Sequence, residues 1–222
     1  MINIALDGLS GSGKGALADG LAKKMNLIHL DTGAIFRAIA LSFVNNNILL
    51  PTQNDIENQL KTINIKVIAD ENGQKVFLNG KDVTNFLRQE TVSKVSSIVS
   101  TNQNVRAKYL EIVEDFASLH NCIIDGRDIT SIVLPNADFK IYLTASEETR
   151  AKRRYDENIS KNINCTFEEV LENLRERDYR DTHRDIAPLI IVSDAIVVDN
   201  TNLNIEQTIE YCYQKIQEKL KI

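Results

Sequence analysis

Tryptophan is missing from these 222 residues, and cysteine nearly so, with only Cys122, Cys165 and Cys212. The three are odd in number, widely separated and without a CxxC spacing. That argues against a disulfide framework or a zinc site and predicts reduced thiols. Long apolar runs are also missing: no stretch approaches the roughly 20 residues that span a bilayer, so no membrane partner is expected. The first residues lead into a strand without a signal-peptide pattern, and the expected location is the cytoplasm. A basic excess is lacking too. Lys and Arg total 26 against 31 Asp and Glu, a net charge of -5, which argues against a broad nucleic-acid-binding surface. No internal repeat or low-complexity segment is visible. With 43% hydrophobic content, the chain can bury one substantial core, as a single domain with a small insertion.

What is present begins at the N-terminus. The apolar run Ile2-Asn3-Ile4-Ala5-Leu6 predicts a buried strand, and Leu17, Ala18, Leu21, Ala22 and Met25 repeat at helical spacing. Between them, Gly8, Gly13 and Lys14 fit the GxxxxGK phosphate-loop pattern. In such loops backbone N–H groups face phosphate oxygens at the positive end of the following helix, and the lysine reaches the β- and γ-phosphates. The hydroxyl that commonly follows the lysine is absent, because Gly15 and Ala16 stand there. A bound magnesium ion would therefore need other oxygens or water.

Strands then alternate with helices. Leu27-Ile28-His29-Leu30 predicts a second strand ending at Asp31-Thr32-Gly33, and 34–46 a helix with Ile35 or Phe36, Ile39, Ala40, Phe43 and Val44 inward. Arg37 lies at the edge of that stripe, solvated or functional. Between 56 and 87 the texture changes to a small antiparallel meander. It comprises a strand over 63–68, a turn over 70–73, a return over 75–78 and an Asn79-Gly80 turn before Val83. Helices follow over 89–100 and 104–119, the second with the stripe Val105, Tyr109, Ile112, Phe116 and Leu119. A third strand, Cys122-Ile123-Ile124-Asp125, ends in an acid suited to holding magnesium directly or through water. Gly126-Arg127-Asp128 follows, where open α/β sheets bind ligands. Further strands are predicted over 139–143 and 195–198. This order implies a doubly wound, five-stranded parallel sheet flanked by helices, with an antiparallel insertion.

Two arginine clusters remain. The capping-box spacing from Thr166 to Glu169 starts a helix at Phe167 whose stripe Phe167, Val170, Leu171 and Leu174 must pack inward. The same face then carries Arg177, Asp181 and Arg184. These are either a solvated helix end with intrahelical ion pairs or charges that answer an anionic ligand. Arg150, Lys152, Arg153 and Arg154 lie on a predicted helix over 146–158, ahead of the polar stretch 157–164. They are either a solvated surface or a mobile lid. Taken together the arginines favour phosphate chemistry, because guanidinium is always charged and bidentate.

The chain resembles the bacterial cytidylate kinases nearly end to end. The resemblance rests on Asp7-Gly8 with 10–15, Asp31-Thr32-Gly33-Ala34-Ile35-Phe36-Arg37, Asn79-Gly80-Lys81-Asp82-Val83-Thr84, Val105-Arg106 and Asp125-Gly126-Arg127-Asp128. It continues through Ala145-Ser146-Glu147-Glu148-Thr149-Arg150 and Arg177-Asp178-Tyr179-Arg180-Asp181 to Arg184. It implies phosphoryl transfer from ATP, with Mg²⁺, to CMP or dCMP. Gly8, Ser10, Gly11, Ser12, Gly13, Lys14, Gly15 and Ala16 would bind ATP, and Asp125 would hold the metal. Thr32, Arg37, Ser97, Arg106, Arg127, Asp128, Arg177, Asp181 and Arg184 would bind CMP: Arg37 and Arg127 the phosphate, Arg177 and Asp181 the ribose, Ser97, Arg106, Asp128 and Arg184 the base. Lys14, Arg127, Asp128, Arg150 and Arg154 would be catalytic, the last two on a lid over 150–165, and 56–87 would be the monophosphate-binding insertion. A monomer is expected. The family usually has threonine where Ala16 stands, glycine at Thr130 and proline at Leu9. A GTP-dependent switch is disfavoured because no Asn-Lys-x-Asp motif occurs.

Overall fold

The computed structural model describes residues 1–70 and 73–220. The strands are β1 (Asn3–Gly8), β2 (Ile28–Asp31), β3 (Ile65–Asp70), β4 (Gly73–Leu78), β5 (Lys81–Asp82), β6 (Cys122–Asp125), β7 (Phe139–Thr144) and β8 (Ile196–Asp199). The α-helices are α1 (Lys14–Met25), α2 (Gly33–Asn45), α3 (Gln53–Leu60), α4 (Glu90–Val99), α5 (Gln103–Leu119), α6 (Glu147–Ser160), α7 (Phe167–His183) and α8 (Ile205–Leu220). A five-stranded parallel sheet has the order β2-β6-β1-β7-β8, and a three-stranded antiparallel sheet the order β3-β4-β5. Parallel strands linked through helices give the α/β architecture that the alternation predicts.

The described chain forms two compact units, residues 26–122 with Met1, and residues 2–25 with 123–220. In the first, Ala38, Ile39 and Phe43 of α2, Val92, Val95 and Val99 of α4 and Val76 of β4 share one core. The meander pairs Ile65 with Leu78 and Val67 with Val76, and then Phe77 with Asp82. Asn79 (φ 50°) and Gly80 (φ 80°) are both left-handed, the conformation a two-residue hairpin of matching twist requires. Of the turn expected over 70–73, Glu71 and Asn72 lie outside the described residues.

Several expectations are corrected. Residues 56–60 belong to α3, not to the meander; α3 buries only Ile56, so its period is faint, and a Thr52–Asp55 capping box starts it instead. Leu119 is 68% exposed as the last residue of α5, although Phe116 and Ala117 of the same turn are buried. Residues 157–160 continue α6, so the polar stretch is not all loop. Arg184 lies one residue past α7, as its C-cap in extended backbone, and not on the inward helix face. A single π-helical turn, Ile129–Val133, and the helix α8 were not read from the sequence.

In the second unit β1 pairs with β7 in the register Leu6 to Ile141 and Gly8 to Leu143. Leu17 and Leu21 of α1 and Ile216 of α8 are fully buried. Ala151, Val170 and Leu174 join α6 to α7, with Tyr155, Cys165, Phe167 and Leu171 packed around them. All three cysteines are free. Burial pushes the Cys122 and Cys212 thiols up to about 12. Cys165 is half-buried and meets the Asn158 amide at 3.5 Å. Among the described residues no helix is long and apolar enough to cross a membrane.

The α7 capping box is complete: Thr166 accepts from the Glu169 N–H at 3.2 Å, and Glu169 accepts from the Thr166 N–H at 2.8 Å. Thr166→Ala is expected to cost about 1 kcal/mol, read as a lower urea midpoint at unchanged slope.

Candidate active site

In the second unit β1 runs through Asp7 into Gly8, two residues beyond the predicted strand, and a loop connects it to α1. Gly8 and Gly11 are there for different reasons. A Cβ on Gly8 would lie 2.0 Å from the Leu143 carbonyl oxygen, and Gly11 holds φ +73° against the backbone of Arg150. The next residues turn into α1, whose first N–H groups have no intrahelical partner and favour an anion.

Lys14 is 6% exposed, with its Nζ donating to the carbonyls of Gly8 at 2.7 Å and Leu9 at 2.8 Å. Burial lowers its pKa well below the ordinary lysine value, and the neighbouring Arg127 adds to the shift; Asp125 and Asp7 oppose it, and Arg177 reinforces it. Cations gathered this closely repel one another, and an anionic ligand relieves that repulsion.

Asp7 is fully buried and accepts from Ile129 N at 3.0 Å, Thr130 N at 2.7 Å and Thr130 Oγ1 at 2.7 Å. Burial raises its pKa despite these bonds. The three bonds fasten the π-helical turn to the strand end that starts the loop. Thr130, at the usual glycine position, supplies one of them.

Arg127 donates from Nε to Asp181 Oδ2 at 2.7 Å and from Nη1 to the Gly126 carbonyl at 3.1 Å. Burial would lower the Arg127 pKa and raise that of Asp181, but the ion pair outweighs it on both sides, raising Arg127 and lowering Asp181. Arg177 and Arg184 also act on Asp181. Arg184 donates from Nε to Ala187 O at 2.7 Å and lies 4.0 Å from Asp128, which is 3% exposed. The predicted residues Arg127, Asp128, Arg177, Asp181 and Arg184 thus form one charged cluster in this unit, and Lys14 feels its field.

The arginines of α6 divide. Arg154 is exposed and pairs with Glu157 at 2.9 Å. Arg150 is 2% exposed and is no outward arm: it donates to Ala145 O and Ser10 O, each at 2.9 Å, and pairs closely with Asp178. Arg153 reaches Asn200 O at 2.9 Å and Asn200 Oδ1 at 3.0 Å. Asp178 and Asn200 had no assigned role in the sequence, since no local spacing links them to the loop they hold.

Other predicted residues lie in the first unit. Arg37 Nη2 donates to Asp31 Oδ2 at 2.6 Å, and its buried Nε has no hydrogen-bond partner. Such a donor is suited to an incoming oxygen. Thr32 is 2% exposed. Arg106, 5% exposed, lies 5.9 Å from the Phe36 ring and 5.7 Å from the Tyr109 ring, which stack at 4.3 Å, and donates to Ser100 O at 3.4 Å. Ser97 is exposed on α4.

For a metal the donors are few. Asp125 is half-buried at the end of β6, Ser12 Oγ is committed to Leu9 O at 2.9 Å, and among the described residues no group of three or more His, Cys, Asp or Glu gathers. One carboxylate fits magnesium, which commonly takes one or two from protein and the rest from phosphates and water.

Residues 4–218 match the family model described as Cytidylate kinase. A cytidylate kinase of Caldicellulosiruptor saccharolyticus is 44% identical over 94% of this chain and 92% of its own length. That of Fusobacterium nucleatum is 41% identical over 99% of each, and that of Bacillus subtilis 36% identical over 98% and 97%. Among solved structures, an uncharacterized protein from Eubacterium ventriosum shares the fold, with a TM-score of 0.56 at 11% identity over 98% of this chain and 99% of that one.

The Asp181 carboxyl lies below its unfolded value of 3.8. Its stabilising contribution is therefore present above pH 3.8 and is lost as pH falls through the lower folded-state value. Asp181→Asn is expected to cost on the order of 1–3 kcal/mol at neutral pH. In urea titrations the gap from wild type should close as pH drops below 3.8.

Proposed function

The chain belongs to the cytidylate kinase family, and from that membership we propose that it moves the γ-phosphate of ATP to CMP or dCMP, releasing ADP and CDP or dCDP. The observation that carries this reading is the cation field around the loop lysine, where Arg127 and Arg177 act on a buried Lys14. A triphosphate supplies the charge that this field calls for.

A phosphate oxygen of the acceptor attacks the γ-phosphorus in line. A new P–O bond forms as the bond to the β,γ-bridging oxygen breaks, and ADP leaves with that electron pair. The acceptor phosphate is already ionised near neutral pH, so the chain needs no general base. Loop N–H groups and Lys14 hold the donor phosphates. Arg127 and Arg37 hold the acceptor phosphate, Arg177 and Asp181 the ribose, and Ser97, Arg106, Asp128 and Arg184 serve the base and its surroundings, with Thr32 also among the residues that bind the acceptor. Arg127 then shares Asp181 with the acceptor, and the ion pair keeps its guanidinium aimed before substrate arrives. Magnesium, held by Asp125 directly or through water, would supply further charge neutralisation on the phosphates. Arg154 of the 150–165 segment is exposed and available to a closing lid. Exclusion of water keeps the donor from hydrolysis, and the reading places this chemistry in the cytoplasm, on a monomer.

In a coupled assay of ADP release, CMP and dCMP should outpace UMP, AMP and dTMP. Lys14→Ala should lower turnover by roughly 10²- to 10³-fold in a folded protein. Fast nucleotide hydrolysis without an acceptor, or near-normal turnover of Lys14→Ala, would overturn the reading. Ala16 is exposed, so Ala16→Thr should fit and reduce the magnesium concentration needed for half-maximal rate.

A further inference from the structure

Both backbone polar groups of Ser10, at the outer bend of the phosphate loop, are taken by side chains far away in sequence. Its N–H donates to Asp178 Oδ1 at 3.0 Å, and its carbonyl accepts from Arg150 Nη1 at 2.9 Å. The same Nη1 pairs closely with Asp178 Oδ2, and Nε is tied to Ala145 O at 2.9 Å. One turn of loop further on, the Ser12 carbonyl accepts from Asn200 Nδ2 at 3.0 Å and from Arg153 Nη1 at 3.4 Å. Between them Gly11 lies on α6 so closely that a Cβ would sit 3.2 Å from Arg150 O and 3.3 Å from its Cβ.

A trans peptide is planar, and the carbonyl of one residue points opposite to the N–H of the next. Fixing the Ser10 carbonyl on Arg150 therefore fixes the direction of the Gly11 N–H, away from α6. Fixing the Ser12 carbonyl on Asn200 and Arg153 does the same for the Gly13 N–H. An anion cradle depends on N–H groups that already point inward, since reorienting them on binding costs affinity. Arg150 is 2% exposed, and a guanidinium so buried stays in place only while its charge is answered. Asp178 answers it.

We infer that Asp178 is a positioning residue for the triphosphate donor, acting through Arg150 on the peptide planes of the phosphate loop without touching phosphate itself. The inference deepens the kinase reading and rests on it for the identity of the donor. It also ties α7, which carries Asp178, to the donor loop as well as to the acceptor-holding Arg127.

The test is calorimetric binding of a non-hydrolysable ATP analogue, with steady-state constants for ATP and CMP and a thermal melt for each variant. Asp178→Ala should weaken analogue binding and raise the KM for ATP about tenfold, the usual scale for a lost hydrogen bond to a charged group. The KM for CMP should stay within about twofold, and Asp178→Glu should recover most of the loss. If Asp178→Ala does not fold, Asp178→Asn decides. It keeps an oxygen for the Ser10 N–H and removes only the charge, so a smaller loss confined to ATP is expected. Unchanged analogue affinity in a folded variant, or ATP and CMP constants worsening in parallel, would overturn the inference. A wild-type protein that binds the analogue but does not phosphorylate CMP would sink the kinase reading alone.

Discussion

A guanidinium carried almost entirely out of water is the constraint on which the second unit depends. Arg150 is 2% exposed and spends its donors on Ala145, Ser10 and Asp178. Of these only Asp178 carries a countercharge, so losing it would leave a guanidinium desolvated without compensation. The helix that brings it, the loop it holds and the helix that answers it must therefore be placed together. Asp178 and Asp181 stand three residues apart on α7, so they share one face of the helix. One meets the arginine that braces the loop, the other the arginine that follows β6. A single helical face thus balances the charge of both ends of the proposed reaction.

The parts legible in the sequence are those whose causes are local. The phosphate loop is continuous in sequence with its strand and helix, so composition and spacing reveal it at once. The α7 start is equally local, because Thr166 and Glu169 satisfy each other's backbone. The helix α3 escaped because it buries Ile56 alone, and an almost wholly polar helix leaves little 3.6-residue signal. Arg184 stands at helical spacing from Arg177 and Asp181, but α7 ends at His183 and the backbone is already extended at Arg184. The link between Arg150 and Asp178 could not be read at all. It joins residues 28 apart on separate helices, and only packing brings them into contact. The same holds for Asn200, 188 residues from the Ser12 carbonyl it holds.

The departures from the family pattern also acquire physical content. Thr130 is more than a loop variant, because its hydroxyl is one of three donors on the buried carboxyl of Asp7. With the backbone amides of Ile129 and Thr130, it ties the chain after β6 to the end of β1. Ala16, by contrast, removes a group and leaves nothing in its place.

The three sulfurs differ in a way that bears on handling the molecule. Burial pushes the Cys122 and Cys212 thiols up to about 12, so both stay protonated at neutral pH, and both are buried. Cys165, half-buried beside the packing of α6 on α7, is the position an alkylating dye would find first. A fluorophore placed there would report on those two helices without any cysteine having to be engineered away.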